Sequence, residues 1–233
     1  MKTLRIEFHC HSIYSKDSLA RPEDLIKTAR KRGIDKLIIT DHNNITGALA
    51  AKKMDPDLII VGEEIMTTRG ELLASFVTEE VPPWLEPAEA IRRLRAQGAF
   101  ISVSHPFDTF RSGHWQEADL DQIIPHVDAI EGFNSRCMTM QPNIQAGQYA
   151  MRHNLAQTVG SDAHTAWEVG RATLILPAFS NAQGLRDVIR SAQKSTQLSS
   201  PAIHLSSRFA TTVKKMGFYR KQVSSHQPHT TQK

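Results

Sequence analysis

The sequence predicts one α/β domain in which a mainly parallel sheet closes into a barrel. Seven short apolar runs alternate with stretches of helical period, which is the pattern of successive β–α units. Several of these runs end directly at histidine, aspartate or glutamate, as functional groups do at the carboxyl rim of a barrel. Neither G-x-G-x-x-G nor G-x-x-x-x-G-K-[ST] occurs, which weakens any nucleotide-cofactor interpretation of an α/β chain.

The predicted strands are short runs rich in isoleucine, leucine and valine. They cover residues 6–8, 36–40, 58–61, 100–104, 129–133, 158–161 and 173–176. All seven are expected to be parallel, and the run at 72–77 is expected to add a hairpin arm after the third strand. About seven units with polar strand ends favour a closed or nearly closed barrel over an open doubly wound sheet.

Helices are predicted between the strands from apolar period and from terminal residues. Residues 22–30 begin with a proline and two acids and stop before Gly33. Residues 86–95 repeat this design, with Gly98 as the stop. Further helices are expected at about 44–53, 142–153 and 182–193.

Length and composition fit a single domain with a full core. The chain has 233 residues, of which 40% are hydrophobic. No run reaches the roughly 18 apolar residues of a membrane helix, and the first residues do not resemble a signal peptide. Only Cys10 and Cys137 occur, so we expect no disulfide framework and a cytoplasmic location. Cys10 is predicted to be a buried small hydrophobe that faces away from its two flanking histidines.

Positive charge is concentrated at the C-terminal end. The net charge is +4, yet no acid follows Asp187, whereas eight lysines and arginines do. The preceding part is therefore mildly acidic, and the basic pI is weak evidence for nucleic-acid binding. We divide the chain into a body at 1–198 and a basic, partly disordered tail at 199–233. The tail carries an apolar stripe, which indicates either a terminal helix packed on the barrel or an amphipathic segment that contacts a membrane or polyanion. The stripe consists of Leu205, Phe209, Val213 and Met216.

Histidines and carboxylates at the predicted strand ends form a metal-binding pattern. His9 and His11 share one face of a strand because they are two residues apart, and Asp162 and His164 repeat this spacing. Similar groups follow the intervening strands, namely Asp41, His42, Glu64 and His105. Histidine and carboxylate are the usual ligands of zinc, iron and manganese. Core packing does not require so many polar strand ends, so the sequence predicts one polynuclear metal site.

In this order the motifs H-x-H, T-D-H, G-x-E, S-H-P and G-S-D-A-H resemble those of the PHP superfamily, named for polymerase and histidinol phosphatase. The resemblance covers roughly residues 4–176. It implies a distorted (β/α)7 barrel of the PHP type, two or three divalent metal ions, and hydrolysis of phosphate esters. The body at 1–198 is then expected to be a PHP metal-dependent hydrolase domain.

The resemblance also assigns ligands to individual metal positions. It implies that His9, His11, Glu64 and Asp162 hold the first metal. Glu64 is implied rather than Glu63 because the motif reads G-x-E, and it is expected to bridge to the second metal.

The remaining ligands are implied for a second and a third metal. His105 is assigned to the second, and Asp17, His42 and His164 are assigned to the third. Many members of the family place a histidine on the strand after the bridging glutamate, and this chain has Glu71 there. Glu71 is expected to replace that histidine as a ligand, with an exposed hairpin acid as the alternative.

Groups for proton transfer and substrate binding are expected on the same rim. Asp41 is expected either to orient a ligand from behind or to protonate the leaving group. Arg111 and Arg136 are expected to reach a substrate phosphate from loops, with a surface position as the alternative for each. Asn134, at the end of the fifth predicted strand, is expected to point into the barrel mouth. The implied reaction is in-line attack by a metal-bridged hydroxide.

These features predict a phosphoesterase that uses two or three divalent ions of zinc, manganese or iron and acts on a small phosphorylated molecule. A nucleotide or an oligonucleotide end is the expected substrate, and sugar or amino-alcohol phosphates are alternatives. Three other functions remain open: a nuclease that acts on nucleic-acid ends and holds them with the basic tail, a non-catalytic metal-stabilised module that serves a partner, and an amidohydrolase. The oligomeric state is not predicted.

Overall fold

Nine strands form one nearly closed sheet in the computed structural model, which describes residues 2–216. The strands are β1 (Thr3–Cys10), β2 (Lys36–Ile39), β3 (Ile59–Met66), β4 (Glu71–Ser75), β5 (Phe100–Val103), β6 (Ala129–Asn134), β7 (Ala156–Gly160), β8 (Ala172–Pro177) and β9 (Gln193–Thr196). Their order across the sheet is β7-β6-β5-β4-β3-β2-β1-β8-β9. The predicted α/β barrel is therefore confirmed.

Six strands form the parallel pairs, and the other three, β4, β8 and β9, are antiparallel to their neighbours. β1, β2 and β3 pair in parallel, as do β5, β6 and β7. β4 is antiparallel to both β3 and β5, which confirms the predicted hairpin arm. The run at 173–176 lies in β8 and is antiparallel to β1, so the prediction of seven parallel strands is wrong. A parallel connection needs a long crossover, and the link from β7 to β8 holds only one 3-10 turn at Ala166–Glu168.

Helices cover the sheet between the strands. They are α1 (Pro22–Lys31), α2 (Thr46–Met54), α3 (Pro87–Ala96), α4 (Glu117–Ile123), α5 (Gln141–Arg152), α6 (Ala182–Val188) and α7 (Ile203–Lys215). Proline begins α1 and α3, where its missing N–H costs no intrahelical hydrogen bond. The short α4 is not predicted, and α6 ends before residue 193. No helix within residues 2–216 is long and apolar enough to cross a membrane.

The chain after β7 closes the carboxyl end of the barrel against β1. The backbone N–H of His11 donates a 2.7 Å hydrogen bond to the carbonyl of Ala163, and Cys10 pairs with Ala163 as an isolated parallel bridge. The N–H of Ser161 donates to Glu7 Oε1 at 2.8 Å. The ends of the first and last parallel strands therefore meet, although β7 and β1 are not neighbours in the sheet order.

Apolar side chains fill the barrel and the space beneath the helices. One cluster, which includes Ile6, Phe100 and Leu174, joins strands from both halves of the sheet to α6. Cys10 is fully buried in a second cluster with Leu25 of α1, which confirms its prediction as a small hydrophobe. The apolar interior is thus packed, and the histidines and carboxylates of the predicted metal site lie at the rim.

The predicted tail begins with an ordered helix that packs in an unexpected orientation. Ile203 and Ala210 of α7 are buried, whereas Leu205, Phe209 and Met216 are 66%, 64% and 64% exposed. The predicted apolar stripe is therefore not the face that packs on the barrel, and this expectation is corrected. The part of the predicted tail at 217–233, including its expected disorder, lies outside the described residues.

Candidate metal centre

Nine side chains gather at the carboxyl rim of the barrel. They are His9, His11, Asp17, His42, Glu64, Glu71, His105, Asp162 and His164, and each has a nitrogen or oxygen within 3.5 Å of another member. Because β4 runs against its neighbours, its first residue, Glu71, lies at the edge where those neighbours end. Glu71 is only 6% exposed, so the alternative of a solvent-exposed hairpin acid is wrong.

The tightest group surrounds two imidazole nitrogens. His9 Nε2 and His11 Nε2 lie 3.0 Å apart. Asp162 Oδ1 is 3.5 Å from the first of these nitrogens and 3.2 Å from the second. Glu64 places Oε1 3.4 Å from His9 Nε2 and Oε2 3.3 Å from His11 Nε2. Four side chains, from β1 and β3 and from the segments that follow β1 and β7, therefore converge on one point.

The partners of the other ring nitrogens indicate which tautomers these histidines adopt. His9 Nδ1 lies 2.9 Å from Glu131 Oε1, a carboxylate that can only accept a hydrogen bond. His11 Nδ1 lies 3.0 Å from Ser15 Oγ, which donates its own proton to Asp41 Oδ1 at 2.7 Å. Both Nδ1 atoms are therefore assigned as donors. In the neutral form that binds a metal, each imidazole then carries a lone pair on Nε2, and a cation between the two nitrogens would satisfy both.

A second and a third group extend from Glu64. His105 Nε2 lies 3.1 Å from Glu64 Oε1 and 3.5 Å from Glu71 Oε2. His42 Nδ1 lies 2.9 Å from Glu64 Oε2, and His42 Nε2 lies 3.4 Å from Asp17 Oδ2. In each of three sets of residues, the donor atoms lie within 4.8 Å of one another. The sets are His11, His42 and His164; His9, His11 and Glu64; and His42, Glu64 and Glu71.

Unpartnered buried atoms in this region fit the binding of metal ions. Glu64 Oε2, Asp162 Oδ1, Asp17 Oδ1 and His164 Nε2 are buried and have no hydrogen-bond partner. Buried polar atoms are normally hydrogen-bonded, so a cluster of such exceptions needs an explanation. Imidazole nitrogens and carboxylate oxygens are the donors that bind zinc, manganese and iron. The residues present therefore suit divalent cations.

The charges of the cluster act strongly on its own members. Burial lowers the pKa of His9, but neighbouring carboxylates, above all that of Glu64, raise this pKa to well above the ordinary value. Burial together with the nearby His164 and His42 holds the pKa of His11 well below its ordinary value. Burial raises the pKa of Asp162, but the Arg111 guanidinium and His9 have the larger, opposite effect. The pKa of Asp162 is therefore well below its ordinary value, and this carboxyl group is ionised.

Strand alternation explains why Glu64, and not its neighbour, faces the cluster. Glu63 turns to the opposite side of β3, where its Oε2 accepts a 3.0 Å hydrogen bond from the N–H of Val81. Burial raises the pKa of Glu63 to about 8, which favours a neutral carboxyl group there. The preference for Glu64 over Glu63 agrees with this geometry.

Glu131 supports the cluster, a role that the sequence motifs do not predict. Besides accepting from His9, it accepts a 2.9 Å hydrogen bond from the N–H of His105 and a 3.0 Å bond from Asn134 Nδ2. One fully buried carboxylate thus orients residues of two predicted metal positions. An acid in the middle of the apolar run at 129–133 is the signal that points to it.

Replacing Glu131 with glutamine is expected to lower metal affinity about 10- to 100-fold while the protein stays folded. The amide no longer supplies the negative charge that favours the Nδ1–H tautomer of His9. Competition with a chromophoric chelator measures the affinity. The exposed Glu79→Gln variant is the control and should match the wild type. An unchanged affinity in Glu131→Gln would show that this carboxylate does not orient the ligands.

Asp41 holds a loop and does not face the barrel mouth. It is fully buried, and its Oδ1 accepts hydrogen bonds from Ser12 N at 2.6 Å and from Ser15 Oγ at 2.7 Å. Its Oδ2 accepts from Ser12 Oγ at 2.5 Å. The expected role as a proton donor to the leaving group is therefore corrected. Asp41 acts on His11 only through Ser15, in line with the orienting alternative.

The three predicted substrate residues have different surroundings. The Arg111 guanidinium donates to Asp162 Oδ2 and is 20% exposed, so it borders the cluster and reaches solvent. Asn134 is buried, with Nδ2 3.3 Å from Asp162 Oδ2, and supports that carboxylate instead of meeting solvent. Arg136 is also buried, and its Nε lies 3.2 Å from Glu168 Oε1. The expectation that Arg136 contacts substrate is therefore corrected, whereas the substrate role of Asn134 stays a prediction.

The structure is a nearly closed α/β barrel with a cluster of histidines and carboxylates at its rim. This arrangement is typical of metal-dependent barrel proteins. An uncharacterised protein of Methanocaldococcus jannaschii is 39% identical over 172 residues, which cover 72% of this chain and 69% of the relative. The family model described as PHP-associated matches residues 141–193. This chain belongs to the PHP superfamily.

Solved structures agree on the fold. A two-domain protein of Bacteroides vulgatus that contains a predicted PHP-like metal-dependent phosphoesterase superposes with a TM-score of 0.69 at 21% identity. The match covers 84% of this chain and only 65% of that longer protein. The lesion-specific endonuclease EndoQ of Pyrococcus furiosus superposes with a TM-score of 0.55 at 14% identity, over 83% of this chain and 58% of the endonuclease.

Proposed function

We propose that this chain is a metal-dependent phosphoesterase that acts on a small phosphorylated molecule. The observation that carries the proposal is the position of Glu64. Its Oε1 has His9 and His105 nitrogens at 3.4 and 3.1 Å. Its Oε2 has His11 and His42 nitrogens at 3.3 and 2.9 Å. A buried carboxylate with two imidazoles at each oxygen is suited to bridge neighbouring cations.

The proposed metal positions follow from the contacts of these side chains. His9, His11, Glu64 and Asp162 hold the first ion. His105 and Glu71 complete a second position with Glu64, and Asp17, His42 and His164 form a third. Zinc, manganese and iron are the ions that suit these donors. Such ions, when bound, supply an activated water and polarise the phosphoryl group.

The protein side chains contribute binding and orientation. Arg111 is placed to bind a substrate phosphate because its planar guanidinium lies beside Asp162 and is partly exposed. Glu131 and Ser15 direct the Nε2 lone pairs of His9 and His11 inward. Burial raises the pKa of Asp162 and of Glu64, but neighbouring cationic groups hold each pKa well below its ordinary value, so both carboxyl groups stay ionised.

Metal analysis and phosphate release together test the proposal. We expect two or three ions per purified chain by mass spectrometry. We also expect phosphate release from a panel of nucleotides, sugar phosphates and aminol phosphates, which a chelator abolishes and added manganese restores. Bound metal without turnover of any ester would favour the non-catalytic module. Turnover of an N-acyl panel alone would favour an amidohydrolase.

Replacing Arg111 with glutamine is expected to lower kcat/KM about 10- to 100-fold, mainly through KM, because a charge-assisted hydrogen bond contributes about 1.5–3 kcal/mol. Metal content should be unchanged. Steady-state kinetics on the best ester of the panel measures this. Arg92→Gln, on the exposed face of α3, is the control. Equal kinetics for Arg111→Gln and wild type would remove Arg111 from the substrate site.

A nuclease that acts on nucleic-acid ends is the second function that we propose to test. Arg208 and Lys215 are exposed on α7, and no acid follows Asp187 in the sequence. Such a surface favours polyanions. The Arg208→Gln, Lys215→Gln double variant should then lose activity on oligonucleotides and keep it on small esters. Equal loss on both substrates would contradict this function.

A further inference from the structure

Helix α7 is connected, directly or through Arg136, to two of the three segments that carry the proposed third metal position. Asp17 lies in the loop at 12–18, which follows β1, and His164 lies in the loop at 161–168, which follows β7. The hydroxyl of Ser18 contacts the carbonyl oxygens of His11 and His164 at 3.0 and 2.9 Å, so the two loops are neighbours. A contact that fixes these two loops therefore also fixes Asp17 and His164, the proposed ligands that the loops carry.

The C-terminal end of α7 is anchored to the first loop by one ammonium group. Lys214 Nζ donates a 2.5 Å hydrogen bond to the carbonyl of Ile13 and a second hydrogen bond to the carbonyl of Ser15. The side chain of Ser15 contacts His11 Nδ1 at 3.0 Å and accepts from the N–H of His42, also at 3.0 Å. Lys214 therefore fixes the backbone of a residue that orients two predicted ligands.

The N-terminal end of α7 is anchored through a buried ion pair. Arg136 Nη2 donates to the carbonyl of Ile203 at 3.0 Å and to Ser207 Oγ at 2.9 Å. The same guanidinium pairs with Glu168, which is fully buried. Glu168 Oε2 in turn accepts a 3.2 Å hydrogen bond from the N–H of His164. A buried charge pair is stable only while its hydrogen bonds are complete, so α7 completes this pair.

The two anchors lie at different points along α7. Ser207 and Lys214 are two helical turns apart, which is about 10 Å along the helix axis. On the outer face of α7, Leu205 and Phe209 are exposed among the residues that the structure describes, 2–216. The helix therefore acts on the rim through its inner face.

We propose that α7 is a positioning element of the metal centre and that Lys214 and Arg136 are its positioning residues. They act through the loops of Asp17 and His164 and touch neither metal nor substrate. The inference rests on the proposed metal site and places the end of the functional domain beyond residue 198, where we set it from the sequence.

Lys214→Met tests the inference, with Lys53→Met in the exposed last turn of α2 as the control. Chelator competition on the full chain measures the affinity of each bound ion. We expect Lys214→Met to release the most weakly bound ion at about 10-fold lower chelator concentration. Lys214→Arg, which keeps a cation, should restore the affinity.

The outcomes separate this inference from the proposed function. A Lys214→Met protein with wild-type affinity for every ion overturns the role of α7 and leaves the phosphoesterase proposal intact. A wild-type protein that binds no metal contradicts the proposed function itself. Ser207→Ala, which removes one hydrogen bond to Arg136, should weaken the same ion less than Lys214→Met does. This milder variant keeps the test decisive if Lys214→Met is poorly folded.

Discussion

Replacing Asp162 with asparagine is expected to remove metal from the protein and to lower phosphoester turnover on the order of 10³-fold. Asp162 Oδ1 lies 3.5 and 3.2 Å from the two central imidazole nitrogens and has no hydrogen-bond partner. A neutral amide loses the negative charge that a divalent cation requires there. The backbone should not resist the change, since Asp162 has φ of 52° and asparagine tolerates this left-handed conformation well.

Three measurements separate loss of the site from loss of the fold. Metal per chain is determined by mass spectrometry, turnover by phosphate release, and folding by circular dichroism. Asp187→Asn on the exposed face of α6 is the matched control and should behave as wild type. Full metal content and full turnover in Asp162→Asn would show that the assigned centre is wrong.

Replacing Gly160 with alanine is expected to damage both the fold and the metal centre. A Cβ atom at this position would lie 2.4 Å from His9 Cβ and 2.4 Å from Glu131 Oε1. The methyl group would therefore push apart the two residues whose hydrogen bond orients His9. We expect the free energy of unfolding to fall by about 1–3 kcal/mol and metal affinity to fall at least ~10-fold.

Gly147→Ala provides a control with the opposite expected sign. Gly147 lies inside α5, and a Cβ atom there would meet only Gln157 Oε1, at 3.9 Å. The substitution should stabilise the protein by about 0.5–1 kcal/mol because alanine is the better helix former. Urea unfolding of metal-free and metal-loaded protein measures both variants. A Gly160→Ala protein as stable as wild type would mean that the contact at the rim is looser than described.

Features that depend on strand direction and local period could be predicted from the sequence. His9 and His11 share a side because of the two-residue repeat of a strand, and Glu64 differs from Glu63 for the same reason. The ends of parallel strands meet at one edge, so residues distant in sequence, such as His105 and Asp162, are placed together. The barrel could also be predicted from the sequence, because apolar runs alternate with helical stretches.

Features that depend on a particular tertiary partner could not be predicted. Arg136 follows a strand end exactly as a substrate-binding arginine would, but the buried Glu168 and α7 bind its guanidinium instead. The direction of β8 depends on the short link before it, which the apolar run at 173–176 does not reveal. The hydroxyls of Ser12 and Ser15 likewise donate hydrogen bonds to Asp41. No local sequence pattern predicts the path of the loop that carries these two serines.

The carboxylate at position 71 changes the charge balance of the rim. Where many members of the family carry a neutral imidazole, this chain has a fourth acid beside Asp17, Glu64 and Asp162. The four ligand carboxylates cancel two divalent cations, so among residues 2–216 the attraction of a dianionic ester would then depend on Arg111. A third cation leaves the rim positive, and the added oxygen donor favours harder ions such as manganese. Substrate affinity in this protein should therefore rise with the concentration of free manganese.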